Sequence, residues 1–479
     1  MNYETVIGLE IHAELNTKSK IFCGCSTKFA SKPNENTCPV CIGLPGTLPV
    51  LNEDVVRLAV KAGTALNCRI NYVNKLDRKN YFYPDLPKAY QISQYDLPMC
   101  SGGFVEYECE GKHVRVRINR IHIEEDAGKL IHLEEEPFSL IDYNRTGIPL
   151  IEIVSEPDMR SPLEAVTFLR VLKSILEYAE ISDCRMEQGS LRCDANISVR
   201  PVGQKEYGTK VELKNINSFR ELQKALEKEE KRQIELCRFG EGHKIVQETR
   251  RWDSGKGRTV PMRSKEEAHD YRYFPEPDLM PVIIREDLIK EVMDSLPEMP
   301  YDKASRFVNE YKLGEGEAEI LAGDRLLSEF FESTVREGAP PKAAANWVLG
   351  ELLRLMKETD LSSADITLKP AYLSRLIALV ESGSISNTAG KEVFKEMYES
   401  GATPDEIVEK NGLSQISSKD DLSELVRQVL KDNPKSVEDY RNGKAQAAGY
   451  LVGQVMKASR GKANPKIVQE LVILELGTL

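Results

Sequence analysis

The sequence predicts an α+β amino-terminal domain built on an antiparallel or mixed sheet, followed by an all-α domain and a small all-α tail domain. Up to about residue 297, short segments alternate apolar and polar residues, which is typical of strands with one buried face. From about residue 300, strand patterns disappear and helical patterns continue to the end. The prolines at positions 297 and 300 mark a break between the two regions. We therefore expect three domains, at residues 1–297, 298–405 and 406–479.

The composition is ordinary for a globular protein, with 479 residues, 41% hydrophobic and 29% charged. No stretch approaches the roughly 20 consecutive apolar residues that cross a bilayer. The start of the chain has neither the basic nor the apolar segment of a signal peptide. We therefore expect a cytoplasmic protein without membrane contact. The net charge of −11 argues against a general nucleic-acid coat but leaves room for a local basic surface.

The first predicted strand, at residues 6–15, has one apolar and one polar face. Side chains alternate along a strand, so Glu10 and His12 are neighbours on the polar face. The apolar face carries every second residue of the segment, namely Ile7, Leu9, Ile11, Ala13 and Leu15. This segment therefore predicts a strand that covers a core and exposes an acid and a histidine.

The same alternation recurs in later segments that carry more acids. Residues 148–154 present Glu152, and residues 191–199 present Asp194 and Asn196. A Val- and Ile-rich strand at 114–123 ends in Glu124-Glu125-Asp126. A solvated sheet face explains each strand taken alone. Several acids on one face would repel each other unless a cation lies among them. Carboxylate and imidazole ligands suit Mg²⁺ or Mn²⁺. Both interpretations stay open at this stage.

Two helix starts are recognisable from their first four residues. Each combines a hydroxyl residue, a proline and a glutamate three positions after the hydroxyl, which is the pattern of a capping box. They are Ser161-Pro162-Leu163-Glu164 and Thr403-Pro404-Asp405-Glu406.

The segment at residues 77–91 is rich in basic and aromatic residues. Its cations include Lys79 and Lys88, which suit phosphates, and its aromatic rings suit the stacking of a base. The alternative is a proline-rich loop whose rings pack on the domain. The chain has no Walker A sequence, so a nucleotide site here is not a P-loop.

Four cysteines near the start have the spacing of a metal site. They form a C-x-C pair and a C-x-x-C pair separated by twelve residues. The cysteines are Cys23, Cys25, Cys38 and Cys41. We expect one structural Zn²⁺, because four thiolates leave no open position for a reactant. Reduced structural thiols or a disulfide are the alternatives.

The end of the chain is locally basic. Residues 431–479 contain eight Lys or Arg residues against five Asp or Glu residues. Such cations suit the phosphates of an RNA, although a solvated helix face gives the same pattern. The candidate contacts are Lys444, Lys457, Arg460 and Lys462.

Several long motifs resemble the B subunit of the tRNA-dependent amidotransferases. The resemblance covers essentially the whole chain, and residues 436–464 are similar to the tail domain of that family. The motifs lie at residues 6–12, 77–91, 122–129, 149–158, 189–196, 214–219 and 270–278.

The resemblance implies a cradle-like catalytic domain that uses ATP to phosphorylate the side-chain carboxylate of an amino acid mischarged on tRNA. The substrates would be Glu-tRNA(Gln), Asp-tRNA(Asn) or both. Ammonia then replaces the phosphate. It comes from a separate amidase, the A subunit, and the small C subunit braces the pair. The chain itself has no Gly/Ser-rich amidase signature.

The resemblance also implies roles for residues of this chain. Lys79 and Lys88 would contact phosphates, the four cysteines would hold zinc, and the helical half would bind tRNA. The ligands of the catalytic Mg²⁺ or Mn²⁺ would be Glu10, His12, Glu125 and Glu152, with Asp194 as a weaker candidate.

Two other functions remain as alternatives. One is an ATP-dependent carboxylate ligase that needs no tRNA. The other is a non-catalytic, zinc-containing RNA-binding module, which would leave the acids on the predicted sheet face unexplained.

Overall fold

The computed structural model describes residues 2–29, 32–133, 136–262, 270–359, 361–413, 419–442, 444, 446–459, 463 and 465–478. The chain divides into two compact units, Met1–Pro300 and Tyr301–Leu479. The first unit combines strands and helices, and the described part of the second contains helices. The predicted α+β domain with a mixed sheet, followed by a helical region, is therefore confirmed.

The first unit is built mainly from strands. Their bounds are β1 (Tyr3–Glu14), β2 (Arg69–Ile70), β3 (Val73–Asn74), β4 (Asp77–Asn80), β5 (Tyr90–Ser93), β6 (Cys100–Ser101), β7 (Phe104–Cys109), β8 (Lys112–Glu125), β9 (Lys129–His132), β10 (Ser139–Asp142), β11 (Pro149–Ser155), β12 (Leu191–Pro201), β13 (Val211–Lys214), β14 (Glu248–Asp253), β15 (Arg258–Pro261), β16 (Phe274–Pro275) and β17 (Val282–Ile283). Its helices are α1 (Glu53–Ala65), α2 (Pro162–Tyr178), α3 (Phe219–Arg238) and α4 (Glu286–Ser295).

One large sheet organises this unit. Its strand order is β15-β14-β13-β12-β1-β11-β8-β6-β2, and β7 also pairs with β8. Strands β13 and β14 are parallel, whereas the other neighbours are antiparallel. The central strand β1 lies between β11 and β12, and β8 pairs with the other edge of β11, so the four predicted acid-bearing strands are adjacent.

The apolar face of the sheet is covered by helices. Helix α2 contacts β1, α3 contacts β12 and α1 contacts β8. The predicted inward residues Ile7, Leu9 and Ile11 are buried in the resulting core. Because one face of the sheet is closed in this way, the polar side chains of the same strands lie on the other face.

A small second sheet lies next to β8. It consists of β16, β4 and β5, and β5 contacts β8. The predicted basic and aromatic segment therefore forms the two strands β4 and β5 and the turn that joins them.

The second unit is helical throughout its described part. Its helices are α5 (Pro300–Tyr311), α6 (Glu315–Gly323), α7 (Arg325–Arg336), α8 (Pro341–Trp347), α9 (Leu353–Thr359), α10 (Pro370–Glu381), α11 (Asn387–Ser400), α12 (Pro404–Asn411), α13 (Lys419–Asp432), α14 (Pro434–Arg441), α15 (Gln446–Ala458) and α16 (Pro465–Thr478). A π-helical turn, Val348–Leu352, joins α8 to α9. No helix in the described part of the chain is long and apolar enough to span a membrane.

The buried side chains of these helices form two cores. One core extends from Phe307 to Val408, and the other extends from Leu422 to Leu476. Helix α12 crosses the predicted boundary between residues 405 and 406, and it buries Ile407 and Val408 in the first of these cores. The three-domain division of the sequence stays a prediction, and the gap between the cores follows α12.

Candidate active site and metal centres

A row of ionisable side chains crosses three adjacent strands. His12 on β1 lies directly opposite Glu152 on β11, and Glu152 lies directly opposite His122 on β8. Opposite residues of antiparallel strands share a face, and so do residues two positions apart on one strand. The face therefore also carries Glu10 and Glu124. We call these five residues the acid-lined face.

The acid-lined face brings imidazoles and carboxylates into contact. His12 Nε2 lies 3.3 Å from a Glu152 oxygen and 3.5 Å from a Glu124 oxygen. His122 Nε2 lies 3.3 Å from Glu152 and 3.4 Å from Glu124. Each histidine thus lies against the same two acids.

Two overlapping sets of side chains have the spacing of metal ligands. Glu10, His12 and Glu152 form one set, and His122, Glu124 and Glu152 form the other. The ligand atoms within each set lie within 4.8 Å of one another. Two oxygen ligands on opposite sides of Mg²⁺ are about 4.2 Å apart, so each set fits a divalent cation.

The electrostatics of the face also favour a cation. Burial and the Glu152 carboxylate raise the pKa of Glu10. Burial alone would lower the pKa of His122, but Glu152 and Glu124 outweigh it and raise that pKa to about 9. Burial alone would raise the pKa of Glu152, but His122 and His12 outweigh it and hold that pKa well below its usual range. Positive charge therefore stabilises this face, and a metal ion would supply that charge without a proton.

A buried atom of His122 is left unsatisfied. Its Nδ1 has no hydrogen-bond partner among the described residues, while its Nε2 faces the two acids. Glu124 in turn accepts a hydrogen bond of 3.1 Å from Ser93 Oγ on β5. The small sheet therefore helps to hold one carboxylate of the face in place.

Glu125 does not join either set of candidate ligands. Alternation along β8 directs it away from Glu124, and its carboxylate bonds Lys88 Nζ and accepts the Ile92 N–H at 2.8 Å. Asp194 lies opposite Glu10 but accepts a hydrogen bond of 2.7 Å from Lys214 Nζ. Of the expected magnesium ligands, the structure thus brings together Glu10, His12 and Glu152.

The sequence interpretation missed His122 and Glu124. The signal was present, because Ile121 and Ile123 alternate with them along β8 and are fully buried. What could not be read from the sequence is the register that places His122 opposite Glu152.

The two lysines expected at phosphates lie in different surroundings. Lys88 is committed to the buried carboxylate of Glu125. The ammonium of Lys79 lies 4.9 Å from the ring centre of Tyr271 and 5.9 Å from that of Tyr81, and it forms no ion pair in the described part of the chain. Lys79 is therefore the more available of the two for an anion.

Aromatic residues of the small sheet and its neighbours lie near the acid-lined face. Tyr95 and Tyr273 stack with ring centres 4.4 Å apart. Burial, with the charges of Glu124 and Glu152, raises the pKa of Tyr273 well above its usual value. Phe82, by contrast, is 79% exposed. The aromatic rings of this segment therefore do not all pack on the domain, as the alternative interpretation requires.

The four amino-terminal cysteines come together on one loop. The sulfur atoms of Cys23, Cys25, Cys38 and Cys41 lie within 4.8 Å of one another. Zn–S bonds of about 2.3 Å place tetrahedral sulfur ligands roughly 3.8 Å apart, so the group fits Zn²⁺. None of the cysteines of the described chain forms a disulfide.

The surroundings favour a thiolate at Cys41 and thiols at Cys23 and Cys25. The hydrogen bond with Cys41 raises the pKa of Cys23, and burial raises the pKa of Cys25 to about 11. A hydrogen bond from the Cys23 thiol, acting against burial, lowers the pKa of Cys41 to about 5. The N–H of Cys38 lies 3.1 Å from Cys41 Sγ, and the ammonium of Lys20 lies 3.7 Å from it. Lys20 is fully buried and also donates to the carbonyl oxygens of Asn36 and Tyr143, at 2.7 and 3.3 Å.

A cavity of about 230 Å³ joins the cysteine loop to the basic segment. Its lining includes Cys23 and Cys41 on one side and Arg78, Lys88 and Glu125 on the other. The cysteine loop therefore shapes the same part of the unit as the lysine expected at phosphates.

The tail residues expected to contact RNA are only partly described. Lys444 donates a hydrogen bond of 2.8 Å to Asp439, and Lys457 is exposed. Arg460 and Lys462 lie outside the described residues.

The structure thus combines an α+β domain that carries candidate metal centres with a helical carboxyl-terminal region. Residues 5–290 match the GatB/GatE catalytic domain, and residues 329–476 match the GatB domain. The chain is 64% identical, over all 479 residues of both proteins, to the B subunit of the aspartyl/glutamyl-tRNA(Asn/Gln) amidotransferase of Clostridium beijerinckii.

More distant relatives match over almost the same length. The corresponding B subunit of Thermoanaerobacter sp. is 59% identical over 476 residues, 99% of this chain and 100% of the relative. That of Thermodesulfovibrio yellowstonii is 55% identical over 472 residues, 98% of this chain and 99% of the relative. The chain belongs to the family of amidotransferase B subunits. It is thus part of a glutamine-dependent ligase that serves translation.

Proposed function

We propose that this protein phosphorylates the side-chain carboxylate of glutamate or aspartate mischarged on tRNA, with ATP as the donor, and then hosts its amidation. The acid-lined face is the observation that carries the proposal. It combines two overlapping sets of candidate metal ligands, and Lys79 lies on the small sheet that contacts β8. Metal ions and cations of this kind are the groups that phosphoryl transfer requires.

The proposed reaction has two steps. An oxygen of the side-chain carboxylate attacks the γ-phosphorus of ATP, and the bond from that phosphorus to the bridging oxygen breaks with its electron pair leaving on ADP. Ammonia then attacks the carbonyl carbon of the acyl phosphate. The carbon–oxygen bond to phosphate breaks, phosphate leaves, and the nitrogen loses a proton to give the amide.

The chain's own residues divide the work. Glu10, His12 and Glu152 hold a divalent ion, and His122 with Glu124 provides the adjoining set of ligands. When bound, Mg²⁺ supplies charge neutralisation for the phosphates. Lys79 binds a phosphate oxygen through its ammonium, which forms no ion pair within the described residues.

Glu125 and Lys88 have a positioning role in this proposal. Their ion pair connects β8 to the strand β5 that follows Lys88, beside the cysteine loop. Asp194 contributes charge next to Glu10 while it holds Lys214. The four cysteines hold a structural Zn²⁺ that fixes the loop.

The ammonia must come from another protein of the assembly. The relatives are named as B subunits, which fits a complex with an amidase as the A subunit and a small C subunit. The basic tail, with Lys444, Lys457, Arg460 and Lys462, would position the mischarged tRNA through its phosphates.

The test is ATP cleavage by the complex reconstituted with its amidase and small subunits, with and without Glu-tRNA(Gln) or Asp-tRNA(Asn). We expect ADP release and amide formation that depend on the charged tRNA, and we expect His12→Ala to abolish both. His113→Ala is the matched control, because His113 is an exposed histidine of β8 remote from the candidate ligands.

The other outcomes identify the alternatives. ATP cleavage that ignores tRNA would indicate a ligase for a free carboxylate. If no ATP is cleaved under any condition while tRNA still binds, the chain is a zinc-containing RNA-binding module.

A further inference from the structure

Arg192 is a positive charge on the acid-lined side of the sheet to which the proposed function gives no role. It lies on β12 directly opposite His12 in the antiparallel register, so the two side chains share a face. Its side chain is 36% exposed. A cation beside the candidate metal ligands is therefore accessible to a substrate.

Arg192 is held by fewer bonds than comparable arginines of the same unit. Among the described residues it gives one hydrogen bond, of 2.8 Å, from Nη2 to Asp126. Arg78 and Arg117 each bind their carboxylate through both Nε and Nη2. The Nε of Arg192 is buried without a partner in the described part of the chain. The guanidinium has five N–H donors, so most of them remain uncommitted.

Asp126, the carboxylate that accepts this hydrogen bond, is shared, and the charges of Glu14 and Glu124 also act on Arg192. Asp126 also lies 3.4 Å from Arg145 Nε, and its other oxygen accepts the N–H of Ala127 at 2.9 Å. Arg145 is fixed in addition by the carbonyl oxygens of Ala127 and Gly128. Arg145 is thus a structural cation, whereas Arg192 is tied at one point and retains capacity for an anion.

We propose that Arg192 binds the side-chain carboxylate of the tRNA-linked amino acid and holds it beside His12. The proposal rests on the function proposed above. A carboxylate that approaches Glu10, Glu124 and Glu152 meets like charges, and it needs a cation to remain there. The planar guanidinium fork matches a carboxylate better than the compact ammonium of a lysine does. The neutral side-chain amide of the product would bind Arg192 less well, which favours product release.

The experiment compares the binding of Glu-tRNA(Gln) and Gln-tRNA(Gln) to the complete complex without ATP. The two ligands differ only in carboxylate against amide. We expect the wild type to prefer Glu-tRNA(Gln) by about ten- to a hundredfold, the usual effect of one charge-assisted hydrogen bond. Arg192→Gln should abolish that preference, and Arg192→Lys should retain part of it. Both variants should keep the KM for ATP of the wild type.

Arg145→Lys is the matched control, because it alters the other partner of Asp126. We expect it to lower the melting temperature and to keep the preference for the carboxylate. The proposal is overturned if Arg192→Gln retains the preference, or if the variant raises the KM for ATP instead, which would assign Arg192 to a phosphate. A wild type that cleaves ATP without charged tRNA would overturn the proposed function and this proposal with it. If only the Arg192 variants depart from these expectations, while ATP cleavage by the wild type depends on charged tRNA, the proposed function stands.

Discussion

Two neighbouring glutamates of β8 have different surroundings, and this difference can be tested one residue at a time. Glu124 belongs to a set of candidate ligands, while Glu125 pairs with Lys88. We expect Glu124→Gln to weaken Mn²⁺ binding by roughly tenfold or more. In metal sites, even the loss of a residue that only hydrogen-bonds to a ligand lowers the metal affinity by about that factor. Isothermal titration of the purified protein with Mn²⁺ measures the change.

Glu125→Gln serves as the comparison. It leaves the largely buried ammonium of Lys88 without its charge partner, so we expect the free energy of unfolding to fall by about 3 kcal/mol. Mn²⁺ binding should stay close to that of the wild type. Equal losses of Mn²⁺ affinity in the two variants would contradict this assignment and return Glu125 to the ligand set.

The cysteine site offers a second test at the residue scale. Replacing Lys20 with methionine removes the buried positive charge beside Cys41 and leaves the carbonyl oxygens of Asn36 and Tyr143 without their donor. We expect one zinc per chain in the wild type and a ten- to hundredfold weaker affinity in Lys20→Met, because groups that hydrogen-bond to metal ligands contribute about that much. Competition with a chromophoric chelator measures the affinity.

The exposed Lys18 provides the control for this variant. Lys18→Met changes the same residue type two positions away and should leave the zinc affinity unchanged. A wild type purified without chelator and without zinc would refute the zinc assignment itself. Unchanged affinity in Lys20→Met would show that the thiolates need no counter-charge.

The candidate site shows how far single residues can be predicted from the sequence. Alternation placed Glu10, His12 and Glu152 on polar faces, because the core-facing half of each strand is apolar, and the resemblance implied their role as ligands. Along β8, the buried Ile121 and Ile123 also favour Glu124 over Glu125 as a residue of the polar face, and the sequence interpretation did not use this signal. The contact of His122 with Glu152 depends on pairing between strands that are separate in the sequence.

At the scale of elements, local signals predicted where two helices begin, whereas tertiary contacts determine the hydrogen bonds that cap them. Thr403 and Glu406 form the full capping box at α12. At α2, Ser161 Oγ accepts the Glu164 N–H at 3.1 Å, but the Glu164 carboxylate accepts from Arg160 instead of Ser161. The helix begins as predicted in both cases, because a single cap satisfies enough of the free N–H groups.

The strand order lay beyond the sequence pattern. Strands β1 and β12 pair although about 180 residues separate them, and β13 pairs with β14 in parallel within an otherwise antiparallel sheet. The hydrophobic pattern determines which face of each strand is buried, but it does not determine which strands are neighbours. The strand order of the large sheet is therefore known only from the structure, whereas the apolar and polar faces of its central strands could be predicted from the sequence.

At the scale of the whole molecule, the question is which part binds the tRNA. The proposed division assigns ATP and metal to the first unit and tRNA phosphates to the tail. The core formed by residues from Leu422 to Leu476 is separate from the core that contains α12. A truncation after Leu413 therefore removes the tail core and retains Ile407 and Val408 in theirs.

We expect the truncation after Leu413 to raise the KM for charged tRNA by roughly tenfold or more and to reduce its dependence on salt, because phosphate contacts release counterions. Mn²⁺ binding by the first unit should not change. A truncation after Ser400 is the necessary comparison, since it also removes α12 and should lower the melting temperature. If the truncation after Leu413 leaves the KM unaltered at every salt concentration, then the basic residues of the tail form a solvated helix face, and the tRNA must be held elsewhere on the assembly.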